Sequence, residues 1–138
     1  TGLYYVQTND KCGIFTRTPM EWEAGKGFMG GSFGQAPNEP AQRVLRAIDI
    51  TTGKPKWELP QSGAVNSWGG VLSTASGVVF FGEDSGALMA ADATSGKPLW
   101  SFQTRQVWKA SPMTYQFDNK QYVAIASGSN IIAFALPD

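Results

Sequence analysis

The sequence predicts an all-β fold made of small, four-stranded antiparallel sheets. Three observations lead there: a repeat with a period of 43 residues, short apolar strands cut by turn residues, and the lack of any competing helical period. The repeat is the strongest of them. Arg46-Ala47-Ile48-Asp49-Ile50-Thr51-Thr52-Gly53-Lys54-Pro55-Lys56-Trp57 lies over Met89-Ala90-Ala91-Asp92-Ala93-Thr94-Ser95-Gly96-Lys97-Pro98-Leu99-Trp100, with Ala, Asp, Thr, Gly, Lys, Pro and Trp recurring at matching places. A further step of 43 reaches Ile131-Ile132-Ala133-Phe134-Ala135-Leu136, which keeps the apolar strand and ends where the turn should begin.

The repeated unit reads as strand, tight turn, strand. Asp and Thr side chains bond turn amides, Gly supplies a positive φ, and Pro withholds an amide from wrong pairing. Trp then brings a large flat surface to bury between neighbouring sheets. Asp49, Gly53 and Trp57 form one such docking motif and Asp92, Gly96 and Trp100 the next, with both Trp side chains expected to be buried.

The middle of the chain gives the whole unit. Gly70–Thr74, Val78–Gly82, Ala87–Ala91 and Leu99–Phe102 are four short strands separated by turn residues, the pattern of one β-propeller blade. The same template gives incomplete units on either side. Leu3–Thr8, Arg43–Ile48 and Lys56–Leu59 read as strands two to four of one blade; Ser111–Phe117, Gln121–Ala126 and Asn130–Leu136 read as strands one to three of another. The organisation expected is a single partial propeller over 1–138. It has an incomplete blade at 2–60 with a long loop at 10–42, a complete blade at 64–104 and an incomplete blade at 107–138. Roughly three blades cannot close a ring that usually has about 4–8 of them. Open ends predict self-association through apolar faces bearing Ile125, Ile131 and Phe134 and through unpaired strand edges.

Composition limits the chemistry. With 11 basic and 11 acidic residues the net charge is zero, which argues against nucleic acid as a partner. No His is present, so the commonest general base and transition-metal ligand is missing. The lone Cys12 has no intramolecular disulfide partner and is expected to be packed as a small hydrophobe. No apolar run approaches the ~18 residues that span a bilayer, and the chain opens on strand-like Thr1-Gly2-Leu3-Tyr4-Tyr5-Val6 without a signal peptide, as a segment of something longer.

Strand alternation assigns loops to faces. The Thr-Gly-Lys-Pro turns join strands three and four, on a structural face. The long connection, with Trp22, Phe28, Met29 and Phe33, follows a second strand, and Val65-Asn66-Ser67-Trp68 and Gln106-Val107-Trp108-Lys109 precede first strands. These segments therefore meet on the opposite face, near the ring axis. A connection of such length is functional more often than not. Trp68 and Trp108 read equally well as packing at the rim.

With repeat and face in hand, the residues resemble a known family. The repeated motif resembles the tryptophan-docking repeat of alcohol dehydrogenases that use pyrroloquinoline quinone (PQQ). Trp68-Gly69-Gly70-Val71-Leu72-Ser73-Thr74, Phe80-Phe81-Gly82, Ser111-Pro112-Met113-Thr114-Tyr115 and Lys120-Gln121-Tyr122-Val123-Ala124 are similar to the last two blades of those enzymes. Leu3-Tyr4-Tyr5-Val6, Asn9, Cys12 and Ala24-Gly25 resemble the segment before their long loop, and Ile131–Asp138 resembles the tail of quinoprotein glucose dehydrogenases. The resemblance implies an eight-bladed periplasmic propeller that oxidises primary alcohols to aldehydes and passes electrons to a cytochrome or a quinone. It implies PQQ with Ca²⁺ or a lanthanide near the axis. Asn9 and Trp68 carry over as cofactor contacts, and Trp108 and Lys109 fall at the rim of the substrate pocket. The metal-binding carboxylates and the catalytic Asp belong to segments this chain lacks, and Asp10 and Glu21 are not assigned those roles. The chain is thus expected to bring one edge of the pocket and to be inactive alone. The alternative is a non-catalytic propeller of the same repeat type, a periplasmic assembly scaffold.

Overall fold

A computed structural model describes residues 2–137; Thr1 and Asp138, at the ends of two segments quoted above, lie outside the described residues. Its regular elements are twelve strands: β1 (Leu3–Asp10), β2 (Gly13–Arg17), β3 (Gly31–Gln35), β4 (Gln42–Asp49), β5 (Pro55–Pro60), β6 (Val71–Ser73), β7 (Val78–Gly82), β8 (Ala87–Asp92), β9 (Pro98–Gln103), β10 (Met113–Phe117), β11 (Lys120–Ser127) and β12 (Asn130–Ala135). Ten of them form three antiparallel sheets, β1-β4-β5, β6-β7-β8-β9 and β10-β11-β12, and β2 and β3 pair separately. The four strands read from the middle of the chain are β6 to β9, and the flanking sheets have the three strands expected of each. The sheets do not close on themselves.

The repeat is visible in atomic detail. Asp49 Oδ1 accepts the amides of Thr51 and Thr52 at 2.9 and 3.0 Å and the Thr51 hydroxyl at 2.6 Å. Asp92 Oδ1 does the same for the amides of Thr94 and Ser95 at 3.1 and 2.8 Å and the Ser95 hydroxyl at 2.7 Å. Gly53 and Gly96 close the two turns with φ of +68° and +72°, a conformation costly to any residue with a Cβ. Even the ladder irregularities repeat, at Ala47/Ile48 and at Ala90/Ala91.

Two apolar clusters glue the sheets together. Leu45, Val79, Phe81, Ala91 and Ala93, with Tyr5 and Trp57, fill the space between the first and second sheets. Leu88, Trp108 and Ile125, with Ile132 and Phe134, fill that between the second and third. Burying each large side chain stabilises the stack by about 1.5–3 kcal/mol.

Trp57 docks on the next sheet but is half-buried rather than buried as expected. Its indole N–H donates to the Ala93 carbonyl at 3.1 Å, and Tyr5 donates its hydroxyl to the same oxygen at 2.9 Å. Its ring lies over Gly96 so closely that a Cβ there would come within 2.7 Å of it. Trp100 departs from expectation: it is 42% exposed. It touches Phe134 edge-on with ring centroids 5.3 Å apart, and borders a cleft of about 870 Å³ between the second and third sheets. The cause is positional. Trp57 reaches Ala93, 36 residues on, and Gly96 three further. The same step of 36 from Trp100 reaches Leu136, which is 82% exposed.

Three further expectations change. The long connection is not all loop, since β2 and β3 pair as a hairpin with Phe15 against Phe33, ring centroids 4.8 Å apart. Cys12 is exposed rather than packed, because it sits between β1 and this hairpin, away from both clusters. On the last sheet Ile125 and Phe134 face the second sheet, so of the three residues read as an open apolar face only Ile131 is exposed.

Candidate functional site

The loops expected on one face do meet there. β1 ends at Asp10, the chain returns at Gln42 directly opposite, and the segments 61–70 and 104–112 lead into β6 and β10 at the same end of their sheets. Asn9, paired with Arg43 at the end of β1, turns its carboxamide to the 61–70 segment, where Nδ2 donates to the Ser67 carbonyl at 3.1 Å. Lys11 Nζ donates to the Val65 carbonyl at 3.3 Å, a second tie between the same segments. Asn9 therefore stands beside Trp68, whose indole is 75% exposed. Lys109 Nζ lies over that indole, 5.1 Å from the ring centroid, a cation–π contact.

Two glycines make this approach possible. A Cβ on Gly69 would lie 3.0 Å from the Trp108 carbonyl oxygen and 2.9 Å from that of Ala110; one on Gly70 would lie 2.3 Å from Ser111 Oγ. That same hydroxyl accepts the Gly70 amide at 3.1 Å. The Trp-Gly-Gly sequence is thus a spacing device that lets the segment 108–111 run against the chain after Trp68 and sets Lys109 above the ring.

Trp108, read as lining the pocket rim, is corrected. It is completely buried among Leu88 and Ile125. A Cβ on Gly82 would lie 2.1 Å from the Trp108 Cβ, so the missing side chain leaves the space the tryptophan occupies. Of the two rim residues only Lys109 faces the open site. Asp10 is also occupied: Arg46 holds its carboxylate at 2.7 Å and keeps that carboxyl below its ordinary range. Among the described residues no three His, Cys, Asp or Glu side chains gather as metal ligands.

Beneath the site lies a polar cluster that sequence reading missed. Arg43, at the start of β4, pairs with Asp84 in the β7–β8 turn at 3.1 Å, with side chains only 3% and 2% exposed. Asp84 Oδ2 accepts the amides of Asn66 and Ser67 at 2.6 and 3.2 Å. Burial alone would raise the Asp84 carboxyl. Those two amides and the Arg43 charge outweigh it and hold the carboxyl below its usual value. Arg43 also donates to Gln7 Oε1 and, at 3.4 Å, to the Gly69 carbonyl. Removing one partner of such a buried pair costs about 3–5 kcal/mol.

Residues 58–123 match the family model for the β-propeller domain of glucose, ethanol and alcohol dehydrogenases that use PQQ. The chain is 38% identical over 129 residues to the quinoprotein alcohol dehydrogenase PedH of Pseudomonas putida, an alignment covering 93% of this chain and 21% of that protein. The chain belongs to the PQQ dehydrogenase β-propeller family. It is 35% identical over 131 residues to a lanthanide-dependent methanol dehydrogenase of Methylorubrum extorquens, covering 93% of this chain and 22% of the relative. A europium-containing methanol dehydrogenase superimposes with a TM-score of 0.78 at 28% identity, over 90% of this chain and 22% of that one. The chain thus spans about a fifth of the length of the relatives it matches.

Proposed function

We propose that this chain is part of a periplasmic PQQ-dependent dehydrogenase that oxidises primary alcohols to aldehydes, and that it supplies one edge of the cofactor pocket. One observation carries the reading: Asn9 is bonded to the backbone beside Trp68, and Lys109 stands over the exposed indole. An amide, an exposed indole and an ammonium group suit PQQ, a flat aromatic quinone bearing three carboxylates. The indole N–H and the ammonium donate to carboxylates, and an amide bonds the polar edge of the quinone. PQQ when bound supplies the two-electron acceptor for the alcohol. The chain's own residues hold and orient: Asn9 and Trp68 fix the cofactor's edge, and Lys109 adds a positive charge at the rim of the substrate site. Among the described residues no three His, Cys, Asp or Glu side chains gather, and no step runs through a metal.

The test is PQQ titration of the full-length protein in three forms: wild type, Trp68→Phe and Asn9→Ala. Each variant is expected to weaken PQQ by about 1–3 kcal/mol, the cost of a buried polar group left unpaired. Unchanged affinity and alcohol oxidation in both would end the assignment. The 138-residue chain alone is expected to give no dye reduction with PQQ, Ca²⁺ and short alcohols.

A further inference from the structure

We propose that Asp84 is the positioning residue for the Asn66–Trp68 segment, and through it for both residues assigned to the cofactor edge; the link to PQQ rests on that assignment. Asp84 belongs to the second sheet, in the turn after β7, and the segment it holds is the connection between the first sheet and the second. One carboxylate oxygen takes the guanidinium of Arg43 at 3.1 Å. The other takes two successive backbone amides, Asn66 at 2.6 Å and Ser67 at 3.2 Å. The carboxylate is therefore divided between an ion pair and a loop. The loop is pressed onto the same turn elsewhere: the Ser85 amide donates to the Ser62 carbonyl at 3.2 Å, and a Cβ on Gly63 would lie 2.7 Å from Asp84 Cβ.

This grip has a specific consequence for the site. With the Ser67 amide fixed, the carbonyl of the same residue is the acceptor for Asn9 Nδ2 at 3.1 Å. The next side chain is Trp68, 75% exposed, with Lys109 over its ring. The position of the indole is thus set by its backbone and by Lys109, and the backbone is set by Asp84. The Asp84 side chain is only 2% exposed, so it acts on the site through the loop it holds.

Two substitutions separate positioning from plain stability. Asp84→Ala removes the ion pair and the loop acceptor together. Arg43→Met breaks the same ion pair and leaves the carboxylate on the two amides. Both are expected to lower the urea midpoint. In amide NMR spectra of the 138-residue chain, only Asp84→Ala should move the Asn66 and Ser67 amide protons strongly upfield and shift the Asn9 side-chain amide and the Trp68 indole with them. Asp84→Asn preserves shape but offers one acceptor oxygen to partners that need two, so a partial shift is expected where the alanine variant folds poorly. In the full-length enzyme Asp84→Ala should weaken PQQ about tenfold, the loss of one charge-assisted hydrogen bond, and Arg43→Met much less. Equal shifts from Asp84→Ala and Arg43→Met, or none from Asp84→Ala, overturn the proposal. So does unchanged PQQ affinity in Asp84→Ala when Trp68→Phe weakens it. If Trp68→Phe is also without effect, the cofactor assignment fails instead, and the NMR result alone decides the role of Asp84.

Discussion

Replacing Gly96 with Ala tests the docking of one blade on the next, and the repeat supplies its own control. Gly53 and Gly96 hold equivalent turns with φ of +68° and +72°. An Ala at either position meets the same left-handed backbone penalty, about 1–2 kcal/mol. Around the new methyl group the two sites differ. Nothing lies within 4 Å of a Cβ on Gly53, whereas one on Gly96 would come within 2.7 Å of the Trp57 ring. The ring must lift, which strains the packing and stretches the Trp57 bond to the Ala93 carbonyl. Overpacking costs about 1–3 kcal/mol and a lost hydrogen bond about 1, with partial overlap between them. Gly96→Ala should therefore cost about 1–3 kcal/mol more than Gly53→Ala. Urea unfolding followed by circular dichroism measures both. Losses equal within about 0.5 kcal/mol would show that Trp57 does not bear on Gly96, and docking through that ring would be ruled out.

Trp100→Ala should cost about 1–2 kcal/mol, less than deleting a fully buried tryptophan, and less than Trp57→Ala, because Trp100 is 42% exposed; a larger loss than Trp57→Ala in urea unfolding would contradict this. Acid should loosen the turns. The Thr51 hydroxyl and the Thr52 and Thr51 amides hold the Asp49 carboxyl down at about 2, and Ser95 and Thr94 lower Asp92 likewise. Folded values below the unfolded one mean stability that is complete above about pH 4 and lost as pH falls toward 2, so the urea midpoint should drop over that window, less steeply in Asp49→Asn/Asp92→Asn. The chain should also self-associate, because Met113, Phe117 and Ile131 on the last sheet and Leu136 just after it are 56–82% exposed; light scattering over a concentration series that finds only monomer would refute it.

The repeat made most of the fold legible. Seven matched residues at one spacing fixed strand, turn and docking tryptophan, and the same period located the sheets on either side. The face of the site followed from strand alternation, which is why Asn9, Trp68 and Lys109 group together on sequence grounds alone. Features without a local signature were not readable. β2 and β3 lie almost wholly exposed, so no alternating apolar pattern marks them. Trp108 looked like Trp68, since a single aromatic before a first strand does not say which way it turns; the missing Cβ of Gly82, 26 residues earlier, decides it. Arg43 and Asp84 lie 41 residues apart on different sheets, and nothing at either position announces the other. Trp100 shows that the motif alone does not bury its tryptophan: Trp57 has Ala93 and Gly96 against it, whereas Trp100 meets Phe134 and stays 42% exposed.

A structure of the full-length enzyme with PQQ bound tests the central claim most directly. PQQ is expected on the loop face, with the Trp68 indole and the Asn9 carboxamide within about 3–4 Å of it, hydrogen-bond or van der Waals reach. Cofactor bound on the face of the Thr-Gly-Lys-Pro turns, or Trp68 and Asn9 left facing solvent, would contradict it.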